Sequence, residues 1–189
     1  ERLGRSLLEL GGNNAIIISE KADFDLALRA VVFGAVGTAG QRCTSTRRLI
    51  IHESIYDQFT QKVKAAYEHI RIGHPLDSKT LVGPLIDNGA VKDFTNAIEA
   101  ARKEGGKVIF GGEVLSGDGF ESGNYVVPCI IEAKNHYHIV QEETFAPILY
   151  IMKYKTIEEA IALQNGVPQG LSSSIMTLNM REAEQFLSA

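Results

Sequence analysis

Short apolar runs rich in β-branched residues alternate along this chain with stretches whose apolar residues recur every three or four positions. Ala15 to Ser19, the first run, has the length and composition of a buried strand. Asp23 then stands as an N-cap, and Leu26, Ala30 and Phe33 mark a helix running toward Gly37. Arg48 to His52 reads as a second strand. Ser54 with Asp57 forms a capping box for a helix carrying Ile55, Phe59, Val63, Ala66 and Ile70 on one stripe, ended by Gly73 and Pro75. A third helix spans Asn88 to Lys103, with Val91, Phe94, Ile98 and Ala101 toward the core and Gly105 and Gly106 as its stop. Lys107 to Phe110, Tyr125 to Ile131, Ile148 to Tyr154 and Leu171 to Met176 read as extended, and Pro128 marks the second of these as an edge strand. Thr156 with Glu159 caps a short helix, and Asn179 with Glu182 starts a last one. This alternation specifies a layered α/β domain, an open twisted sheet with helices on both faces, rather than a bundle or sandwich. No repeat, low-complexity tract or Pro/Ser-rich linker divides it.

A chain of 189 residues forms one full-sized domain or part of a larger protein. Its 44% hydrophobic and 22% charged residues are those of an ordinary globular protein. A net charge of -4 and the lack of any Lys/Arg run exclude a nucleic-acid footprint, the densest basic spot being Arg42, Arg47 and Arg48. No apolar stretch is long enough to cross a bilayer, and Glu1 to Leu8 has no secretory pattern. Two cysteines are too few for a disulfide framework and suit a reducing compartment, the cytosol or the mitochondrial matrix.

Those cysteines differ in setting. Cys43 lies just past a helix in a glycine-containing turn, with Gln41 and Arg42 before it and Thr44 and Ser45 after it. Cationic neighbours such as Arg42 or Arg47 favour a thiolate, so Cys43 is the candidate nucleophile. Cys129, between Pro128 and Ile130, reads as structural. Glu9, between Leu8 and Leu10, is a candidate general base whose carboxyl would be raised if buried. An exposed edge-strand glutamate is the alternative. Gly11 and Gly12 allow close approach to the backbone, but neither a GxGxxG nor a Walker pattern occurs. His136 and His138 lack further ligands at metal-binding spacing, so no metal site is expected.

The strings that carry these residues resemble the aldehyde dehydrogenase superfamily. Leu8 to Ala15 is similar to its glutamate signature, Val36 to Thr44 to its cysteine signature, Glu143 to Pro147 to a third and Gly170 to Ser174 to a fourth, in family order. The resemblance implies NAD-dependent oxidation of an aldehyde, with NADP as the alternative cofactor, through a thioester. It implies Cys43 as nucleophile, its backbone N–H as an oxyanion donor, and Glu9 as the base that activates the deacylating water. The Leu10 carbonyl would contact the nicotinamide amide, Glu143 the ribose hydroxyls, and Phe145 the nicotinamide ring. Asn13, Asn14, Arg42 and Ala146 together resemble the antiquitin branch, the α-aminoadipic semialdehyde dehydrogenases. There Arg42 is a suitable partner for a substrate carboxylate and Thr44 lines the same pocket.

On this resemblance residues 1–9 end a cofactor-binding domain and 10–189 form a catalytic domain truncated at its C-terminus. The other oxyanion donor and most of the dinucleotide site would lie outside this chain, and the full-length protein would be a homodimer or homotetramer. Two other readings stay open. One is a cofactor-free cysteine acyltransferase or hydrolase using a folded-in histidine, and the other a non-catalytic structural homologue.

Overall fold

The computed structural model describes residues 3–188. Its elements are β1 (Asn14–Ile18), α1 (Phe24–Val36), β2 (Thr46–His52), α2 (Tyr56–Glu68), α3 (Asn88–Lys103), β3 (Lys107–Phe110), β4 (Cys129–Glu132), α4 (His138–Gln141), β5 (Ile148–Tyr154), α5 (Ile157–Asn165), β6 (Ser173–Met176) and α6 (Met180–Leu187). The strands form one sheet in the order β3-β4-β5-β2-β1-β6. All neighbours run parallel except β3 against β4.

Burial follows that order. Every residue of β1 is buried, as are all of β2 before His52 and all of β5 except Lys153. Central parallel strands covered on both faces read as such continuous apolar runs. The outer strands β3 and β6 have no fully buried residue. Ile17, Leu49, Ile50 and Ile51 are completely inaccessible, and each buried aliphatic side chain of this kind contributes about 1.5–3 kcal/mol. The step from β1 to β2 and the step from β5 to β6 move in opposite directions along the sheet. Because such crossovers are right-handed, α1 and α5 lie on opposite faces. α1 packs on α2 and β2, while α5 packs on β1, β2 and β5.

Several expectations hold at the level of individual residues. Asp23 caps α1 by accepting from the Asp25 and Leu26 N–H groups at 3.0 Å, and Thr156 accepts from Glu159 N–H at 3.3 Å to start α5. α3 and β3 fall where the pattern puts them. Four local expectations are corrected. α1 buries Ala27, Val31 and Ala35, whereas Leu26 and Phe33 point outward, 62% and 66% exposed. The small residues let the helix sit close to the sheet, so the larger ones take the outer face. Ser54 does not cap α2, because Ile55 occupies the N-cap without a side-chain bond and the Ser54 hydroxyl pairs with His52 instead. That helix also stops at Glu68, before Gly73 and Pro75. Finally, β4 is not an edge strand. Pro128 precedes its first residue, and β4 runs between β3 and β5.

Candidate active site

Because β5, β2 and β1 are adjacent and parallel, the loops that enter them meet at one end of the sheet. Ligand crevices in open α/β sheets ordinarily lie outside the carboxyl ends of strands. Here the residues singled out in the sequence gather at the amino ends. Glu9, Leu10, Arg42, Cys43, Thr44, Glu143 and Phe145 all line one cleft of about 420 Å³, with Gly11 and Gln41. Leu10 is exposed, Phe145 is 45% exposed, and Cys43 is half-buried. Glu9 is exposed rather than buried. None of the histidines lines the cleft.

The turn that presents Cys43 is unusual in its backbone. Thr38 (φ 54°), Ala39 (φ 53°) and Gly40 (φ 68°) are successively left-handed, a conformation that costs a residue with a side chain about 1–2 kcal/mol. Gly40 is required on two counts, since a Cβ there would lie 2.5 Å from the Ala146 carbonyl carbon. The strained turn is held by side chains from elsewhere in the fold. The Asn14 amide donates to the Cys43 carbonyl at 2.7 Å and to the Ser45 carbonyl at 2.9 Å, while its oxygen accepts from Ser172 N–H at 3.0 Å. Arg42 N–H donates to the Ser45 hydroxyl at 3.1 Å, and Ser45 N–H to the Arg42 carbonyl at 3.0 Å.

Arg47 and Arg48 head β2 and are both inaccessible. Successive strand residues face opposite sides, so they serve different places. Arg48 donates to the carbonyls of Asn13, Leu163 and Gln164 and to Asn135 Oδ1, all at 2.7–3.0 Å. Burial pushes its pKa down to about 10, which leaves it charged at neutral pH. Arg47 turns to the cleft. It donates to the carbonyls of Gly40 (3.3 Å), Thr144 (2.6 Å) and Arg42 (3.1 Å), and pairs with Glu143 Oε1 at 3.2 Å. Its guanidinium also lies 5.3 Å from the centre of the Phe145 ring. The same Glu143 oxygen accepts from Gly12 N–H at 3.0 Å.

Arg42, in contrast, is exposed. Its Nε donates to Thr38 Oγ1 at 2.9 Å and its guanidinium lies 5.4 Å from the Phe33 ring centre. Cys129 is fully buried at the start of β4, and burial pushes its thiol up to about 12. His136 and His138 are exposed, His138 lying 3.5 Å from Glu142, and no group of three metal-binding side chains occurs among the described residues.

Sequence reasoning found the residues that line the cleft and missed those that hold it. In the sequence Asn14 stands only as a branch marker, and Arg47 as part of a basic spot and a cationic neighbour of Cys43. The signal available was two charges at the head of an otherwise apolar strand, because a buried arginine must find partners.

Fold and site together define a mostly parallel α/β domain that offers one accessible thiol in a cleft beside two carboxylates. The aldehyde dehydrogenase family model matches residues 1–189, and the chain belongs to that family. It is 54% identical over 177 residues to aldehyde dehydrogenase family 7 member A1 of Pisum sativum, covering 94% of this chain and 34% of that protein. It is also 54% identical over 181 residues to the α-aminoadipic semialdehyde dehydrogenase of Bos taurus, covering 95% and 33%. Betaine aldehyde dehydrogenase of Staphylococcus aureus, solved in complex with NAD+, superposes with a TM-score of 0.92 at 30% identity, covering 95% of this chain and 36% of that one. The chain thus spans about a third of the length of the relatives it matches.

Proposed function

We propose that this chain is the thiol-bearing catalytic portion of an NAD(P)-dependent aldehyde dehydrogenase, residues 1–9 being the end of the cofactor-binding domain and 10–189 the catalytic domain. The observation that carries the reading is the convergence of Cys43, Glu9, Glu143 and Phe145 on one cleft from three separate loops. The Cys43 thiolate adds to the aldehyde carbon, and the Cys43 N–H donates to the oxygen as it gains charge. Glu9 takes a proton from water, the water attacks the thioester carbon, and the carbon–sulfur bond breaks to release a carboxylate and the thiolate.

The cleft fits a dinucleotide's nicotinamide end. Glu143 has one oxygen tied to Gly12 and Arg47, and its other oxygen faces Gly11, where a Cβ would come within 2.1 Å of it. Glu143 would hold the ribose hydroxyls, the exposed face of Phe145 would pack against the ring, and the Leu10 carbonyl would meet the amide. The cofactor, when bound, would supply the acceptor for the two electrons and hydrogen lost by the aldehyde carbon.

The favoured substrate is an aldehyde that also carries a carboxylate, such as α-aminoadipic semialdehyde, which would place the enzyme in lysine breakdown. Relatives of that name and the exposed Arg42 guanidinium, with Thr44 beside it on the cleft wall, support this. The full-length protein is then a homodimer or homotetramer of the cytosol or mitochondrial matrix, a reducing compartment that suits two free cysteines.

The absence of histidine from the cleft disfavours a cysteine–histidine hydrolase. In a full-length protein carrying this chain, Cys43→Ala should abolish NAD-linked oxidation, and near-normal oxidation by that variant would overturn the mechanism. Arg42→Gln should raise KM for the acidic semialdehyde about tenfold, as expected for losing a charged hydrogen-bond partner, and leave a neutral aldehyde little changed. Equal effects on both would remove Arg42 from the substrate site.

A further inference from the structure

Glu143 is a half-buried carboxylate on a loop, and such a side chain has several rotamers open to it. In this fold one of its oxygens is fixed by two donors from different parts of the chain: Gly12 N–H from the segment leading into β1, and the Arg47 guanidinium from the start of β2. The absence of a Cβ at Gly11 leaves the second oxygen room. The carboxylate is therefore divided between an anchored oxygen and one turned to the cleft wall.

The anchor is itself rigid. Arg47 is only 2% exposed, and of its guanidinium nitrogens only Nε lacks a partner among the described residues. Its two terminal nitrogens reach the Gly40 and Arg42 carbonyls on one side of the cleft and the Thr144 carbonyl and Glu143 on the other. A planar fork with fixed donor directions can span these two loops at once, which an ammonium, a point charge on a flexible stem, cannot reproduce. Desolvation lowers the Arg47 pKa, and the Glu143 carboxylate opposes that shift. The same guanidinium lies over the Phe145 ring. Thus one buried side chain touches two of the three residues assigned above to the nicotinamide half of the cofactor, Glu143 and Phe145, and also the Gly40 and Arg42 carbonyls that lead into Cys43.

We propose that Arg47 is a positioning residue for cofactor binding, holding the Glu143 carboxylate so that its free oxygen is ready for the ribose hydroxyls. This rests on the reading of Glu143 under Proposed function. Arg47 contacts neither substrate nor cofactor in this account. It acts through Glu143, and its removal should cost cofactor affinity only while Glu143 is present.

A double-mutant cycle on the full-length protein tests this, with NAD dissociation constants from calorimetry as the readout. Arg47→Lys keeps the charge and offers the best chance of folding, and Arg47→Met removes the charge. Loss of a charge-assisted hydrogen bond corresponds to roughly a tenfold change or more. Arg47→Lys should therefore weaken NAD binding about tenfold in the parent and less than about twofold in a Glu143→Ala background, with Arg47→Met showing the same pattern more strongly. A general loosening of the site would give the same factor in both backgrounds, and that result would overturn the proposal. So would unchanged affinity for Arg47→Lys in the parent while Glu143→Ala weakens binding, an outcome that leaves the Glu143 reading standing. If Glu143→Ala itself leaves NAD affinity unchanged, the reading of Glu143 fails and the role of Arg47 falls with it.

Discussion

The two cysteines sit at the same end of one sheet and are opposites. Cys43 lies in the loop that enters β2, half-buried, its carbonyl clasped by Asn14 and the turn before it built from three left-handed residues. Cys129 opens β4 in register with Ile148 of β5, inaccessible, its thiol pushed up to about 12. The difference teaches that the loop, not the residue type or its position on the sheet, makes a thiol available for chemistry. One loop lifts its cysteine into the cleft by accepting backbone strain, and polar groups from β1 and β2 offset that strain. The other lets its cysteine fill a gap in the core.

The largest expected effect is on alkylation. At pH 8 a thiol with a pKa of about 12 is ionised to roughly one part in ten thousand, and only the thiolate reacts. Iodoacetamide should modify Cys43 at least about a thousandfold faster than Cys129, as read by peptide mass spectrometry. Comparable rates would erase the contrast.

Next in size is the turn itself. Gly40→Ala meets both a left-handed φ and the Ala146 backbone, so it should destabilise by about 3 kcal/mol or more, seen as a lowered unfolding midpoint. A midpoint within a degree or two of the parent would mean that the turn is not under the constraint described.

A smaller effect concerns the core thiol and pH. In the unfolded chain Cys129 loses its proton near its ordinary 9.0, and in the fold only near 12. Between those values the unfolded chain binds fewer protons, so stability should fall as pH rises from about 9. Cys129→Ala should move that onset toward pH 10, where Tyr67 and Tyr150, which burial keeps protonated, begin to ionise in the unfolded state. An unchanged onset in urea titrations across this range would show that Cys129 is not what the alkaline limb reports.

The smallest effect sharpens the comparison from the other side. Ala39→Gly relieves one left-handed residue and should raise stability by at most about 1 kcal/mol, because glycine also gains unfolded-state entropy.

How far the sequence could be read divides along the same line. Periodicity found the strands and helices because burial on both faces leaves a continuous apolar signal, as in Ile148 to Tyr154, and local capping marked α1, α5 and α6. It misjudged the outer face of α1, where close packing favours Ala27 and Val31 over the larger Leu26 and Phe33. It misread Pro128 because a proline just ahead of a strand and one within an edge strand look alike in sequence. The cleft residues were legible because their chemistry is carried by residue type. What holds them was not, since the partners of Asn14 and Arg47 lie up to 158 positions away in the chain and only topology brings them together.

The central claim is that Cys43 carries an acyl group which Glu9 helps water to remove. A full-length protein carrying Glu9→Gln, mixed with semialdehyde and NAD and quenched with acid, tests it directly by peptide mass spectrometry. The account predicts that most of the Cys43 peptide gains the mass of the acyl group, and that the Cys129 peptide does not. An unmodified Cys43 peptide during continuing turnover would contradict it.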